Sequence, residues 1–67
     1  MKGVNFLNNI KKIRKVKKIT LRMLSSASGI SCGYLSHLEN GTRNNPSYEV
    51  MKKIAFALDS NIGELFS

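Results

Sequence analysis

The feature that most constrains this chain is the stretch 20–40, where two short helical patterns lie on either side of Ser28-Gly29-Ile30. Thr20 is a good N-cap for a helix that carries Leu21, Leu24 and Ala27. Gly29 ends that helix, because glycine takes the left-handed conformation without steric cost. Ser31 then caps a second helix that runs to about Asn40, with Asn40-Gly41 as its stop. So short a connection forces the helices to cross steeply, as in a helix-turn-helix. Leu24, Ile30, Leu35 and Leu38 stand where such a unit needs apolar contacts, and Ser25 is small where the helices approach most closely.

The rest of the chain also reads as helix. Phe6, Leu7, Ile10 and Ile13, with Val16 as a last candidate, form one apolar stripe, and Lys17-Lys18 close this first helix. Residues 42–46 (TRNNP) are a loop rich in turn formers. Ser47 caps a helix whose buried stripe is Val50 or Met51, Ile54, Ala55 and Leu58. Asp59-Ser60-Asn61 breaks it, and residues 62–66 make a last short helical turn. Neither sustained period-two alternation nor a hairpin signal is present. The expectation is an all-α fold of five short helices, a single domain over residues 1–67 with its helix-turn-helix at about 20–40.

Composition narrows the function. The chain has 67 residues, too few for a second domain. Its one cysteine cannot form an internal disulfide, which fits a reducing, cytoplasmic setting. One Cys and one His are too few soft ligands for a structural zinc site, and no cofactor is expected. No Ser/His/Asp set or carboxylate pair stands out, so the chain does not read as an enzyme. No apolar run approaches a membrane span. The net charge is +7 and lopsided. Residues 1–38 hold eight basic groups and no acid, and six of the eight fall within 11–18; all four acids (Glu39, Glu49, Asp59 and Glu64) come later. Such a field suits a polyanionic partner, although a solvated helix face that keeps a small protein soluble has the same signature.

The helix over 31–40 sorts into two faces. Leu35 and Leu38 point to the core, with Tyr34 on the shoulder. Cys32, Gly33, Ser36, His37 and Asn40 make one outward stripe that is polar, small and uncharged. A merely solvated face more often carries Lys and Glu, whereas small polar groups suit close approach to base edges. The stripe has no Arg or Gln, so base readout is expected to be modest.

At this point the chain resembles a family. Over residues 10–66 it is similar to the lambda-repressor-like, Cro-repressor type of helix-turn-helix domain, the XRE family. The resemblance rests on "IRKVKKITLRMLSSASGIS", "YLSHLENGTRNNPSYEVMKKIAFAL" and "NIGELF". It implies a five-helix domain that binds operator duplex DNA, usually as a dimer, and represses or activates transcription; a repressor is the expectation for this chain. Carried over by position, it implies that Cys32, Gly33, Tyr34, Ser36 and His37 face bases. Thr20, Leu21, Arg22, Asn40, Thr42, Arg43, Asn44 and Asn45 would lie along the phosphates. It also implies an ion pair between Arg14 and Glu39. Two positions depart from the pattern: Leu21 stands where the family usually has Gln, and Cys32-Gly33 where it often has a long side chain. Both departures remove hydrogen-bonding reach. They motivate the competing expectation of an antitoxin or controller of the same fold that acts mainly through a protein partner.

Several residues carry two readings. Cys32 reads as a small side chain or as a redox or metal residue, but it lies about 140° around the helix from His37, which is poor for a shared metal. Tyr34 is either a stacking group or a half-buried structural one. Phe56, Leu65 and Phe66 are either ordinary core or, in part, a homodimer contact, since a chain this short has little core to spare. A membrane role for the basic first helix is not expected, because its apolar stripe is needed inside.

Overall fold

A computed structural model of the chain describes residues 8–43 and 45–66, so the expected contributions of Phe6, Leu7 and Asn44 lie outside the described residues. Among the described residues there are five α-helices and no strand: α1 (Ile10–Val16), α2 (Leu21–Ser28), α3 (Cys32–Asn40), α4 (Tyr48–Ala57) and α5 (Ile62–Phe66).

Side chains next to each helix start supply the missing hydrogen-bond partners of its first turn. The hydroxyls of Thr20, Ser31 and Ser47 accept from the backbone N–H of Met23, Tyr34 and Val50 at 3.0, 3.2 and 3.2 Å. Asn61 and Glu64 cap α5 reciprocally: Glu64 N–H donates to Asn61 Oδ1 at 2.8 Å, and Asn61 N–H donates to Glu64 Oε1 at 3.3 Å. The start of α1 is held differently. Asn8 Oδ1 accepts from Ile10 N–H at 3.1 Å while Asn8 Nδ2 donates to Leu38 O at 2.9 Å. Asn9 N–H reaches Leu65 O at 2.8 Å, and Asn9 Nδ2 reaches Glu64 O at 2.7 Å. These bonds tie α1 to the far ends of α3 and α5.

The helix ends divide into two kinds. Gly29 and Gly41 take φ of 77° and 82° after α2 and α3. After α1 and α4 the left-handed residue is Lys18 (φ 59°) or Asp59 (φ 53°). In both places the next two N–H groups turn back into the last helical turn, Lys18 to Lys15 O and Ile19 to Arg14 O, then Asp59 to Phe56 O and Ser60 to Ala55 O.

The core joins all five helices. Ile10, Leu24, Leu35, Leu38, Ile54, Leu58 and Leu65 are sealed from solvent, with Ala55 beside them. α2 packs on both α3 and α4, and α5 packs on α4 and α1. Val50 packs against this core, and Met51 is half-buried. Val16 corrects the expectation, being 74% exposed. Successive residues turn about 100°, so Val16 sits about 120° from Ile10 and falls off the stripe that Ile10 and Ile13 define. Among the described residues no helix is long and apolar enough to cross a membrane.

Candidate nucleic-acid interface

The turn between α2 and α3 is held by more than its glycine. Ser25 Oγ donates to Ile30 O at 2.6 Å, and Ser28 Oγ accepts from Ile30 N–H at 3.2 Å. Both backbone polar groups of Ile30 are thus satisfied while its side chain packs against the core. Ser25 is legible in the sequence only as a small residue; its hydroxyl also ties α2 to the connection that leads into α3.

That turn sets what α3 presents. Leu35 and Leu38 are fully buried, and Tyr34 is half-buried against the same core. Cys32, Gly33, His37 and Asn40 are exposed, and Ser36 is half-buried. A side chain added at Gly33 would meet nothing within 4 Å, so this glycine leaves open space on the helix. Cys32 is a free thiol whose Sγ lies 3.9 Å from Leu21 O. Leu21 itself is half-buried against the core, an inward role that explains an apolar side chain at the first position of α2.

The ends of the two helices supply the flanking groups. Thr20 and Arg22 are exposed at the start of α2, as are Thr42, Arg43 and Asn45 after α3. Arg43 N–H donates to His37 O at 3.1 Å, and its guanidinium lies 5.7 Å from the centre of the Tyr34 ring. On α1, Lys11, Lys12 and Lys15 are exposed, as are Lys17 and Lys18 just after it.

Arg14 is not part of this solvated set. Its Nε and Nη2 donate to Glu39 Oε2 and Oε1 at 2.8 and 3.1 Å, a bidentate pair. Its Nη1 donates to Ile19 O at 3.0 Å. The two side chains are only 11% and 5% exposed. Hydrogen bonding to Glu39 pushes the Arg14 pKa above its ordinary value, against a smaller opposing effect of burial. The pair clamps the end of α1 to α3, and so holds the presenting helix against the body. Sequence reasoning did not find the Ile19 bond, nor the bonds of Asn8 and Asn9, because none of them follows a local spacing rule.

Among the described residues no group of three His, Cys, Asp or Glu side chains could hold a metal ion. The arrangement offers a helix with a small polar face, flanked by cations and hydrogen-bond donors.

Comparisons with known proteins agree with this geometry. Residues 8–67 match the model of a helix-turn-helix domain family. The HTH-type transcriptional regulator SlrR of Bacillus subtilis (strain 168) is 39% identical over 57 residues, which is 85% of this chain and 38% of SlrR. The N-terminal DNA binding domain of SinR from Bacillus subtilis superposes with a TM-score of 0.82 at 32% identity, covering 88% of this chain and 86% of that one. The restriction-modification controller protein C.AhdI from Aeromonas hydrophila superposes with a TM-score of 0.81 at 33% identity, covering 87% and 86%. The chain spans between 38% and 52% of the length of the curated relatives it matches. With its capped α2, glycine turn and outward-facing α3, this chain belongs to the helix-turn-helix domain family, in its lambda-repressor-like, XRE-type branch.

Proposed function

We propose that this chain is the DNA-reading unit of a transcriptional repressor and lays α3 along the major groove of duplex DNA. The observation that carries the reading is the face of α3. Cys32, Gly33, His37 and Asn40 stay open to solvent although the same helix buries Leu35 and Leu38 completely. A small, uncharged face lets a helix approach base edges closely. In this reading Cys32, Gly33, Ser36 and His37 meet bases. Thr20, Arg22, Asn40, Thr42, Arg43, Asn44 and Asn45 lie along the phosphates, with the exposed lysines of α1 adding long-range attraction. The unit works in the cytoplasm, where an exposed thiol such as Cys32 stays reduced. It acts as a homodimer on a pseudo-palindromic site with half-sites about 34 Å apart.

Selection of bound sequences from a random duplex pool, followed by a salt titration on the winner, tests this. The expected outcome is an inverted repeat, with log K falling by about 0.9 per neutralised phosphate. Binding without any salt slope would overturn the reading. His37→Ala should change the selected sequence more than the total affinity.

A second reading has its own support. A controller protein is among the similar structures, and α4 exposes Tyr48 and Phe56. A controller or antitoxin of this fold would act mainly through a protein partner at such a surface. A stable complex in a pull-down, with no duplex retardation at low salt, would favour it.

A further inference from the structure

The resemblance puts Tyr34 among the base-facing residues, but its surroundings suit a different task. The ring is half-buried against the core and therefore fixed. Arg43 lies beyond the end of α3, but its N–H bond to His37 O turns the chain back along that helix. The guanidinium then rests over the Tyr34 ring, 5.7 Å from its centre. This distance falls within the range where the ring quadrupole attracts a cation. Attraction between a cation and a ring face does not itself use the N–H donors of the guanidinium. The contact therefore restrains the group and leaves its donors available. Nor does an acid compete for it: the ion pairs found among the described residues are Arg14 with Glu39 and Lys52 with Glu49.

We propose that Tyr34 is a positioning residue that holds Arg43 ready for a backbone phosphate, and that it does not read bases. The inference rests on the DNA-binding reading above. A free arginine loses much rotamer freedom when it binds, and one already laid on a ring loses less. Tyr34 and Arg43 thus form one functional unit, with the ring as platform and the planar fork as phosphate ligand.

The test is a double-mutant cycle on duplex affinity, using the full chain and the duplex selected from the random pool. Its variants are Tyr34→Leu, Tyr34→Phe, Arg43→Ala and Tyr34→Leu/Arg43→Ala, with the thermal midpoint of each recorded. Arg43→Ala should weaken binding to every sequence alike and reduce the salt slope by about 0.9. Tyr34→Leu should weaken binding about two- to fivefold without changing the selected sequence. It should have no further effect once Arg43 is gone, and Tyr34→Phe should bind like the parent. A purely structural loss at Tyr34 would persist in the Arg43→Ala background, and that result would overturn the proposal. So would a changed sequence preference in Tyr34→Leu, or a Tyr34→Phe variant as weak as Tyr34→Leu. If the parent chain binds no duplex at all, the DNA-binding reading falls and takes this inference with it. Additive losses in a parent that does bind remove the inference alone.

Discussion

Arg14 shows how much one side chain can hold in a domain this small. Its three hydrogen bonds join the end of α1, the connection at Ile19 and Glu39 on α3. Removing one partner of a pair so well covered leaves the other charge buried. Glu39→Ala should therefore cost about 3 kcal/mol, or roughly 12–24 °C in thermal midpoint for a domain of this size. Replacing both partners by apolar residues, Arg14→Met with Glu39→Leu, should recover much of that loss. Thermal melts of the two variants check this, and a Glu39→Ala midpoint within a few degrees of the parent would contradict it. Because the folded pKa of Arg14 is raised, its contribution is complete below the unfolded value and is lost only as pH rises through the folded one. The arginine therefore makes no pH dependence near neutrality. Gly33 is the opposite case. It sits in the first turn of α3 with open space around it, so its lack of a side chain relieves no contact and still costs some helix stability. Gly33→Ala should raise unfolding free energy by about 0.5–1 kcal/mol in denaturant titration.

At the scale of the element, the helix termini were the most legible part of the sequence. Thr20, Ser31 and Ser47 cap α2, α3 and α4 where residue type and spacing placed them, and Gly29 and Gly41 close α2 and α3. All these interactions lie within a few residues of the cap, so local sequence contains them. The same logic located the ends of α1 and α4 at Lys17-Lys18 and Asp59 but not their backbone conformation. Their ends need a left-handed residue, and Lys18 and Asp59 fill that role without the freedom of glycine. Lys18→Gly should relieve that strain and stabilise the fold by about 0.5–1 kcal/mol, since the hydrogen bonds from Lys18 and Ile19 do not involve the lysine side chain. A denaturant midpoint that falls on this substitution would mean that the lysine side chain itself holds the end of α1.

For the molecule as a whole, the question is what remains uncovered once the core closes. Leu65 is buried and Phe66 packs against the core, whereas Phe56 is 87% exposed and Tyr48 62%. Of the three C-terminal residues that could have met a second copy, Phe56 alone stays open. Phe56→Ser should leave monomer stability within about 0.5 kcal/mol, because little burial is lost. It should also weaken self-association in sedimentation velocity. Unchanged association would rule out Phe56 as a contact between copies.

Helical spacing and capping residues were sufficient to determine five helices and a helix-turn-helix, and the one-signed first half of the chain suited a polyanionic partner without requiring one. Each of these depends on neighbours within a turn or two, or on a simple sum of charges. Tertiary structure decided the rest: Asn8 and Asn9 reaching α3 and α5, Val16 left outside, and Arg43 laid over Tyr34. An apolar stripe says that a helix has an inside. How far the covering extends around it, and which distant carbonyl or ring a polar side chain meets, depends on where the other helices come to rest.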